Sequence, residues 1–159
     1  PDSQRLVFEE DAMLNDAELK ALLEQLNTVA VVGMSTNPAK AAHRVPAYLL
    51  TEGFEVIPVN PHAETILERR CYHSLLDIPE SIDIVDVFRP SEDALAVVEE
   101  AIARHKVRGD VALIWLQLGI ANETARALAA DAGIPFIQDR CMAIEIPRLF
   151  PHGRQQKQP

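Results

Sequence analysis

Five short apolar runs, each about the length of one strand, alternate along this chain with stretches of helical periodicity. They fall at residues 28–33 (TVAVVG), 54–59 (FEVIPV), 82–88 (IDIVDVF), 110–116 (DVALIWL) and 134–138 (IPFIQ). The first is apolar at odd and even positions alike, the mark of a strand covered on both faces. Helical spacing predicts helices over about 43–52, 92–104 and 122–132 between the runs, and another over about 16–26 ahead of the first. Strands joined through helices pair in parallel, because a helix crossover carries the chain back to the starting edge of the sheet. The pattern predicts an α/β, Rossmann-like three-layer fold: a parallel five-stranded sheet with helices on both faces.

Local signals fill in the frame. Asn15 is placed to cap the first helix, with Glu18 at the capping-box position and Leu19, Leu22, Leu23 and Leu26 at helical spacing. Pro46 fits the second helix only in its first turn, and Gly53 and Gly133 suit helix ends. Ser91 is expected to cap the helix over 92–104, whose first turn carries Glu92 and Asp93. Residues 62–80 are the least regular, with a short strand near 70–72 and a helical turn after Ser74. A last short helix over 141–150 is interrupted at Pro147, and Asp83 and Asp86 read as strand-end or solvent-facing residues. Residues 1–13 read as an irregular N-terminal segment, 14–150 as one domain and 151–159 as a polar, flexible tail.

Composition excludes several function classes. A chain of 159 residues buries roughly 68–70% of its unfolded surface and needs no disulfide framework. Its two cysteines, Cys71 and Cys141, lack CxxC spacing and suit the reducing cytoplasm. A formal charge of −9 argues against a nucleic-acid partner. No apolar run approaches the roughly 18 residues of a membrane span, and no basic-then-apolar leader opens the chain. A small anionic ligand stays compatible, since a local cradle can oppose the global field.

Folds of this class bind ligands at the carboxyl ends of the strands, near the switch in strand order. The first strand runs into Gly33-Met-Ser-Thr-Asn-Pro-Ala-Lys40. Glycine permits the sharp turn, while Ser35, Thr36, Asn37 and nearby amides offer donors beside a helix N-terminus, an arrangement suited to anions. Lys40 adds a point charge. The second and third glycines of GxGxxG are missing, and the second strand ends at Asn60 rather than at an acidic ribose reader, which disfavours NAD. No GxxxxGK[ST] loop occurs either; the bland alternative is an ordinary polar turn. The other strand ends carry Asn60-Pro61-His62, Phe88-Arg89-Pro90, the stretch WLQLGI containing Gln117, Gly119 and Ile120, and DRCMAIE containing Cys141.

Taken together, GxSxNPxK, VNP, VFRP, WLQLGI and DRCMAIE resemble the CoA-binding domain family, most of all its small stand-alone bacterial members. The likeness extends more distantly to the N-terminal domain of the succinyl-CoA synthetase alpha subunit and of ADP-forming acyl-CoA synthetases. It covers about residues 14–150, and its specificity lies in five motifs standing in order at successive strand ends. The resemblance implies a Rossmann-like domain with CoA or acyl-CoA lying over those ends. By position, it implies that Gly33, Ser35, Asn37 and Pro38 line a phosphate loop, with Lys40 and Arg44 as its basic contacts. Asn60 and Pro61 would border the nucleotide, Arg89 and Pro90 would close one side, and Gln117, Gly119 and Ile120 would follow the pantetheine. Ala42 departs from the serine common in relatives, which removes one hydroxyl contact.

No catalytic apparatus is expected. The synthetase relatives use a phosphorylated histidine on a separate domain, whereas His43, His62, His73, His105 and His152 stand in no nucleophile, metal or phosphotransfer motif. Cys71, His73 and His62 have no metal-site spacing, and Cys141 beside Arg140 reads as structural more readily than as a nucleophile. The expected function is a small cytoplasmic CoA-binding protein that is not an enzyme by itself. The alternatives are a subunit of an acyl-CoA synthetase or transferase whose catalytic part is another chain, and an NAD(P)-binding Rossmann protein. Apolar residues in the C-terminal helix leave a homodimer or a protein partner open.

Overall fold

In the computed structural model, which describes residues 14–154, Asn15 opens helix α1 (Asp16–Gln25) with a reciprocal capping box. Its side chain accepts from the Glu18 amide at 2.8 Å, and Glu18 Oε1 accepts from the Asn15 amide at 3.0 Å. The chain continues through β1 (Thr28–Val32), α2 (Ala41–Thr51), β2 (Glu55–Val59), β3 (Thr65–Ile66), β4 (Arg69–Arg70) and a single 3-10 turn at Leu75–Asp77. It ends with β5 (Ile84–Val87), α3 (Ser91–Arg108), β6 (Leu113–Leu116), α4 (Glu123–Asp131), β7 (Phe136–Ile137) and α5 (Met142–Leu149).

The five expected strands form one sheet, all parallel, in the order β2-β1-β5-β6-β7. Alternation along the strands divides the core in two. Val29, Val31, Ile84, Leu113 and Trp115 face α1, α2 and α5, whereas Ala30, Val85, Val87, Ile114 and Leu116 face α3 and α4. The fold is the Rossmann-like α/β architecture that the periodicity predicts. In the irregular stretch, β3 and β4 pair as an antiparallel hairpin, Tyr72 bridges to Val59, and Ser74 caps the 3-10 turn by accepting from the Leu76 amide.

Two local expectations are corrected. α2 begins at Ala41, so Pro46 lies beyond the first turn, at the cost of one helical hydrogen bond. Ser91 is the first residue of α3 rather than its cap; Pro90 holds that position, and Ser91 Oγ accepts instead from the Ala121 amide at 3.1 Å. Asp83 immediately precedes β5, a strand-end residue as expected, and accepts from the Asn27 and Thr28 amides at 2.7 and 3.0 Å. The described chain also runs past Phe150 to a buried Arg154, whose Nη1 donates to Leu23 O and whose guanidinium lies 3.6 Å from the Phe54 ring centre. Residues 1–13 and 155–159, which the sequence assigns to an irregular start and a tail, lie outside the described residues.

The connection under α3 hangs on one side chain. Arg104, 1% exposed, donates to Leu75 O, Ile78 O and Glu80 O and pairs with Asp110 at 2.9 Å. Removing one member of such a buried set leaves the other groups without partners, a loss of about 3–5 kcal/mol. Arg104→Met is therefore expected to lower unfolding stability by about that much in urea titrations, and a loss no larger than that of an exposed substitution would show that the carbonyls find other donors.

Candidate functional site: a cleft at the strand ends

Beyond the carboxyl ends of β1 and β5 the connections part. α2 leaves β1 over one face and α3 leaves β5 over the other, which opens a crevice between them. Gly33 stands at its mouth with φ of 88°. A Cβ there would lie 3.2 Å from the Phe88 carbonyl carbon and 3.2 Å from Arg89 Cδ, so the two strand ends meet this closely only because the residue has no side chain.

The loop that follows is held from both sides. The Gly33 amide donates to Val59 O at 3.0 Å, and Asn60 Nδ2 donates to Met34 O at 2.9 Å. On the opposite side the Ser35 amide donates to Ala42 O at 3.1 Å. That carbonyl is free for the loop because Pro46, four residues on, has no N–H to give it. Within the loop, Ser35 Oγ accepts from the Asn37 amide at 3.0 Å and Asn37 Oδ1 from the Ala39 amide at 2.9 Å. Lys40 occupies the N-cap position of α2, and its side chain makes no capping bond.

Next to this loop lies a cleft of about 410 Å³. Ala41, Arg44 and Val45 of α2 line it on one side, Cys141 and Ala143 at the start of α5 on another, and Phe88, Gln117 and Leu118 from the ends of β5 and β6 complete it. Its lining is mostly apolar, with one guanidinium and one amide. Arg44 Nη1 donates to Ala39 O, which ties the cation to the loop. Arg89 pairs with Asp93 at 3.2 Å with both side chains about half exposed, a contact that water screens and a ligand can replace. Three exposed cations, Lys40, Arg44 and Arg89, thus flank one loop of a chain whose net charge is −9.

Beside the cleft the sheet carries a carboxyl group. Asp86 of β5 sits between Val31 and Trp115 in the strand register and is 0% exposed, which corrects its reading as a strand-end or solvent-facing residue. Gln117 Nε2 donates to Asp86 Oδ1 at 2.7 Å, and Asp86 Oδ2 has no partner. Burial pushes the Asp86 carboxyl up to about 7, against the opposing pull of the Gln117 hydrogen bond.

Residues 27–147 match the CoA binding domain family. The chain belongs to that family. It is 36% identical over 128 residues to the uncharacterized protein YneT of Bacillus subtilis, covering 80% of this chain and 91% of that protein. A solved structure, that of cell-free ID.343 from Thermus thermophilus, superposes with a TM-score of 0.80 at 40% identity and covers 86% of this chain and 100% of its own. An ADP-forming acetate–CoA ligase of Archaeoglobus fulgidus is 33% identical over 98 residues, which are 60% of this chain and 14% of the ligase. The family therefore occurs both as a protein of this length and as part of much longer ligases.

Within this CoA-binding domain the structure sorts the expected residues. Arg44 and Gln117 line the cleft, and Gly33 forms the close approach beside Arg89. Ser35, Asn37 and Asn60 are engaged inside the protein; Asn60 Oδ1 also accepts from the His62 and Ala63 amides at 2.7 and 2.9 Å. The Gly119 amide donates to Asp139 Oδ1 at 2.8 Å and the Ile120 amide to Gln117 O at 2.9 Å, so neither is a free donor. Pro38, Lys40 and Pro61 are exposed, and Pro90 caps α3. Ala41, Val45, Leu118 and Ala143 line the cleft without having been singled out, and Phe88 and Cys141, named in the strand-end motifs but not as ligand contacts, line it too. The signal for the first two was helical spacing, since Ala41, Arg44 and Val45 stand at i, i+3 and i+4. Among the described residues no group of three or more His, Cys, Asp or Glu is placed to hold a metal ion, and no helix is long and apolar enough to cross a membrane.

Two predictions follow from this geometry. Gly33→Ala places a Cβ against the Phe88 backbone at positive φ and is expected to cost about 1–3 kcal/mol; denaturant midpoints check it, and an unchanged midpoint would mean that β1 and β5 can separate freely. For Asp86, the unfolded chain releases its proton near 3.8 and the folded protein near about 7. The folded state holds the extra proton between those values, so the carboxyl erodes stability as pH rises through that window. Asp86→Asn is expected to gain thermal midpoint relative to wild type between about pH 4 and pH 8; a difference that stays flat with pH would exclude the effect.

Proposed function

We propose that this protein binds CoA or acyl-CoA across the carboxyl ends of its strands, as a small binding module with no catalytic step of its own. The observation that carries the reading is the placement of the cleft in a member of the CoA binding domain family. It opens at the switch in strand order and joins a cation-flanked loop to an apolar channel. CoA has that division: a nucleotide with a pyrophosphate and a 3′-phosphate at one end, and a long, mostly apolar arm with two amides at the other.

Lys40 and Arg44 meet the phosphates beside the α2 N-terminus, where the helix dipole and charge-assisted bonds favour anions. Arg89 joins them by releasing Asp93, and Pro90 closes that side. Gly33, Ser35, Asn37 and Pro38 shape the phosphate loop; the bonds that Ser35 and Asn37 make inside it assign them to holding its form. Asn60 and Pro61 border the nucleotide, Asn60 by bracing the loop through Met34 O. Gln117, Gly119 and Ile120 lie along the pantetheine. Two cysteines, both unpaired, support a reducing, cytoplasmic setting. The ADP-forming acetate–CoA ligase relatives favour a second reading, in which the module serves as the CoA-binding part of a ligase completed by another chain.

Calorimetric titration with CoA, acetyl-CoA, ADP, NAD and NADP in parallel tests the reading. CoA or acetyl-CoA is expected to bind and NAD to give no heat; NAD binding without CoA binding would overturn it. Lys40→Ala and Arg44→Ala are each expected to weaken CoA about tenfold at low salt, the worth of one charge-assisted contact. The thermal midpoint should stay near wild type for Lys40→Ala, whose side chain is exposed. Unchanged affinity in both variants would move the phosphates elsewhere.

A further inference from the structure

Gln117 lines the cleft while only 2% exposed, and its amide nitrogen is committed to Asp86 Oδ1 at 2.7 Å. An amide has one donor end and one acceptor end. With Nε2 held by Asp86, the end left for a ligand is the Oε1 acceptor. We propose that Asp86 is a positioning residue that fixes the polarity of the Gln117 amide, so that the cleft offers a hydrogen-bond acceptor and selects ligands bearing an amide N–H there. The inference rests on the CoA reading, in which that N–H belongs to the pantetheine arm.

Only the ionised carboxyl enforces this orientation, because a carboxylate accepts and never donates. No other charge takes part: among the described residues Asp86 has no ion pair, and its sheet neighbours are Val31 and Trp115. The titratable groups on the elements covering this face are engaged elsewhere. Asp16 of α1 and Glu145 of α5 pair with Arg148. Glu18 completes the Asn15 capping box and Lys20 lies over the Phe150 ring; Glu24 is also engaged. In α2, His43 Nδ1 lies 2.8 Å from Ser35 O and Tyr48 donates to Glu52. Arg140 is 3.9 Å from Glu145. Arg44 and Cys141 stand at the cleft lining itself.

The orientation is therefore proton-dependent. A proton on Asp86 Oδ2 creates a buried O–H donor that the neighbouring amide satisfies only by turning over, which brings Nε2 to the cleft in place of Oε1. Since burial raises this carboxyl to about 7, the exchange falls in the neutral range. As pH rises through it, the acceptor is presented more completely and ligands with an N–H at this depth gain affinity.

The test compares CoA with adenosine 3′,5′-bisphosphate, which lacks the pantetheine arm, at a series of pH values from about 6 to 8.5. Taking the ratio of the two affinities cancels the titration of the 3′-phosphate that both ligands carry, and dividing the wild-type ratio by that of Asp86→Asn removes the titration of the 5′-monophosphate, which only the bisphosphate carries. The quotient is expected to rise with pH by about fivefold, the worth of one hydrogen bond, because an asparagine partner orients Gln117 either way at every pH. A quotient that stays flat across the series would overturn the proposal. A lower affinity for both ligands by the same factor would give Asp86 a structural role only and overturn it too.

A second measurement needs neither variant nor ligand. The Gln117 side-chain amide resonances of the wild-type protein are expected to shift with a midpoint near the Asp86 value, and resonances that do not move would sink the idea on their own. If wild type binds neither CoA nor the bisphosphate, the CoA reading fails. The amide titration then still decides whether Asp86 sets the amide.

Discussion

The site depends on one contact between backbones. β1 and β5 are neighbours whose onward connections leave in opposite directions, and their ends can close on each other only where a residue without a side chain turns at positive φ. Gly33 is that residue, held against Phe88 and Arg89. Because it sits there, the N-terminal ends of α2 and α3 point at one crevice, and Arg89 lies beside the loop that leads to Lys40 and Arg44. The loop is then fastened by groups that the fold leaves over. Pro46 frees the Ala42 carbonyl for the Ser35 amide, and Asn60 reaches across from β2 to Met34 O. A proline that looks like a flaw in a helix thus becomes an anchor for the neighbouring loop.

Two pairs of arginines contrast in this structure. Arg104 and Arg154 are buried and satisfy rows of backbone carbonyls; the first holds the connection that carries the 3-10 turn, and the second ties the segment after α5 to the end of α1. Arg44 and Arg89 are exposed at the cleft and make contacts that water weakens. The first kind stabilises the fold and has no freedom to meet a ligand. The second contributes little to stability and is therefore available. In a chain with a net charge of −9, that availability places exposed cations beside the strand ends.

The sheet was legible because its signal is additive: each apolar run, helix and glycine points to the same layers, and an error of a few residues at one boundary changes nothing. The general place of the site followed from topology and from motifs at the strand ends. Its lining was only partly legible, for physical reasons. Ser35, Asn37 and Asn60 have the side chains of ligand contacts, yet short polar side chains in a tight loop find backbone partners first. Val45 and Ala143 look like core residues and line the cleft because the core stops there. Asp86 was the least legible. Its place in IDIVDVF matches a half-exposed strand, and only the register against Trp115 and the cover of the helices show that its face is closed.

A fully buried carboxyl with one unpartnered oxygen works against the stability of the fold, since every ionised Asp86 has lost water without gaining a cation. An asparagine would fill the same space with no charge, and a leucine would complete the apolar layer shared by Ile84, Leu113 and Trp115. What neither can do is hold a neighbouring amide in one orientation: asparagine fits both, and leucine specifies none. A carboxylate does so because it accepts without donating. The one side chain it orients is the amide that reaches the cleft, and the amide is the only uncharged polar side chain other than the Cys141 thiol on a lining that is otherwise apolar or guanidinium. The energetic burden and the chemical direction of the cleft therefore meet in the same pair of residues.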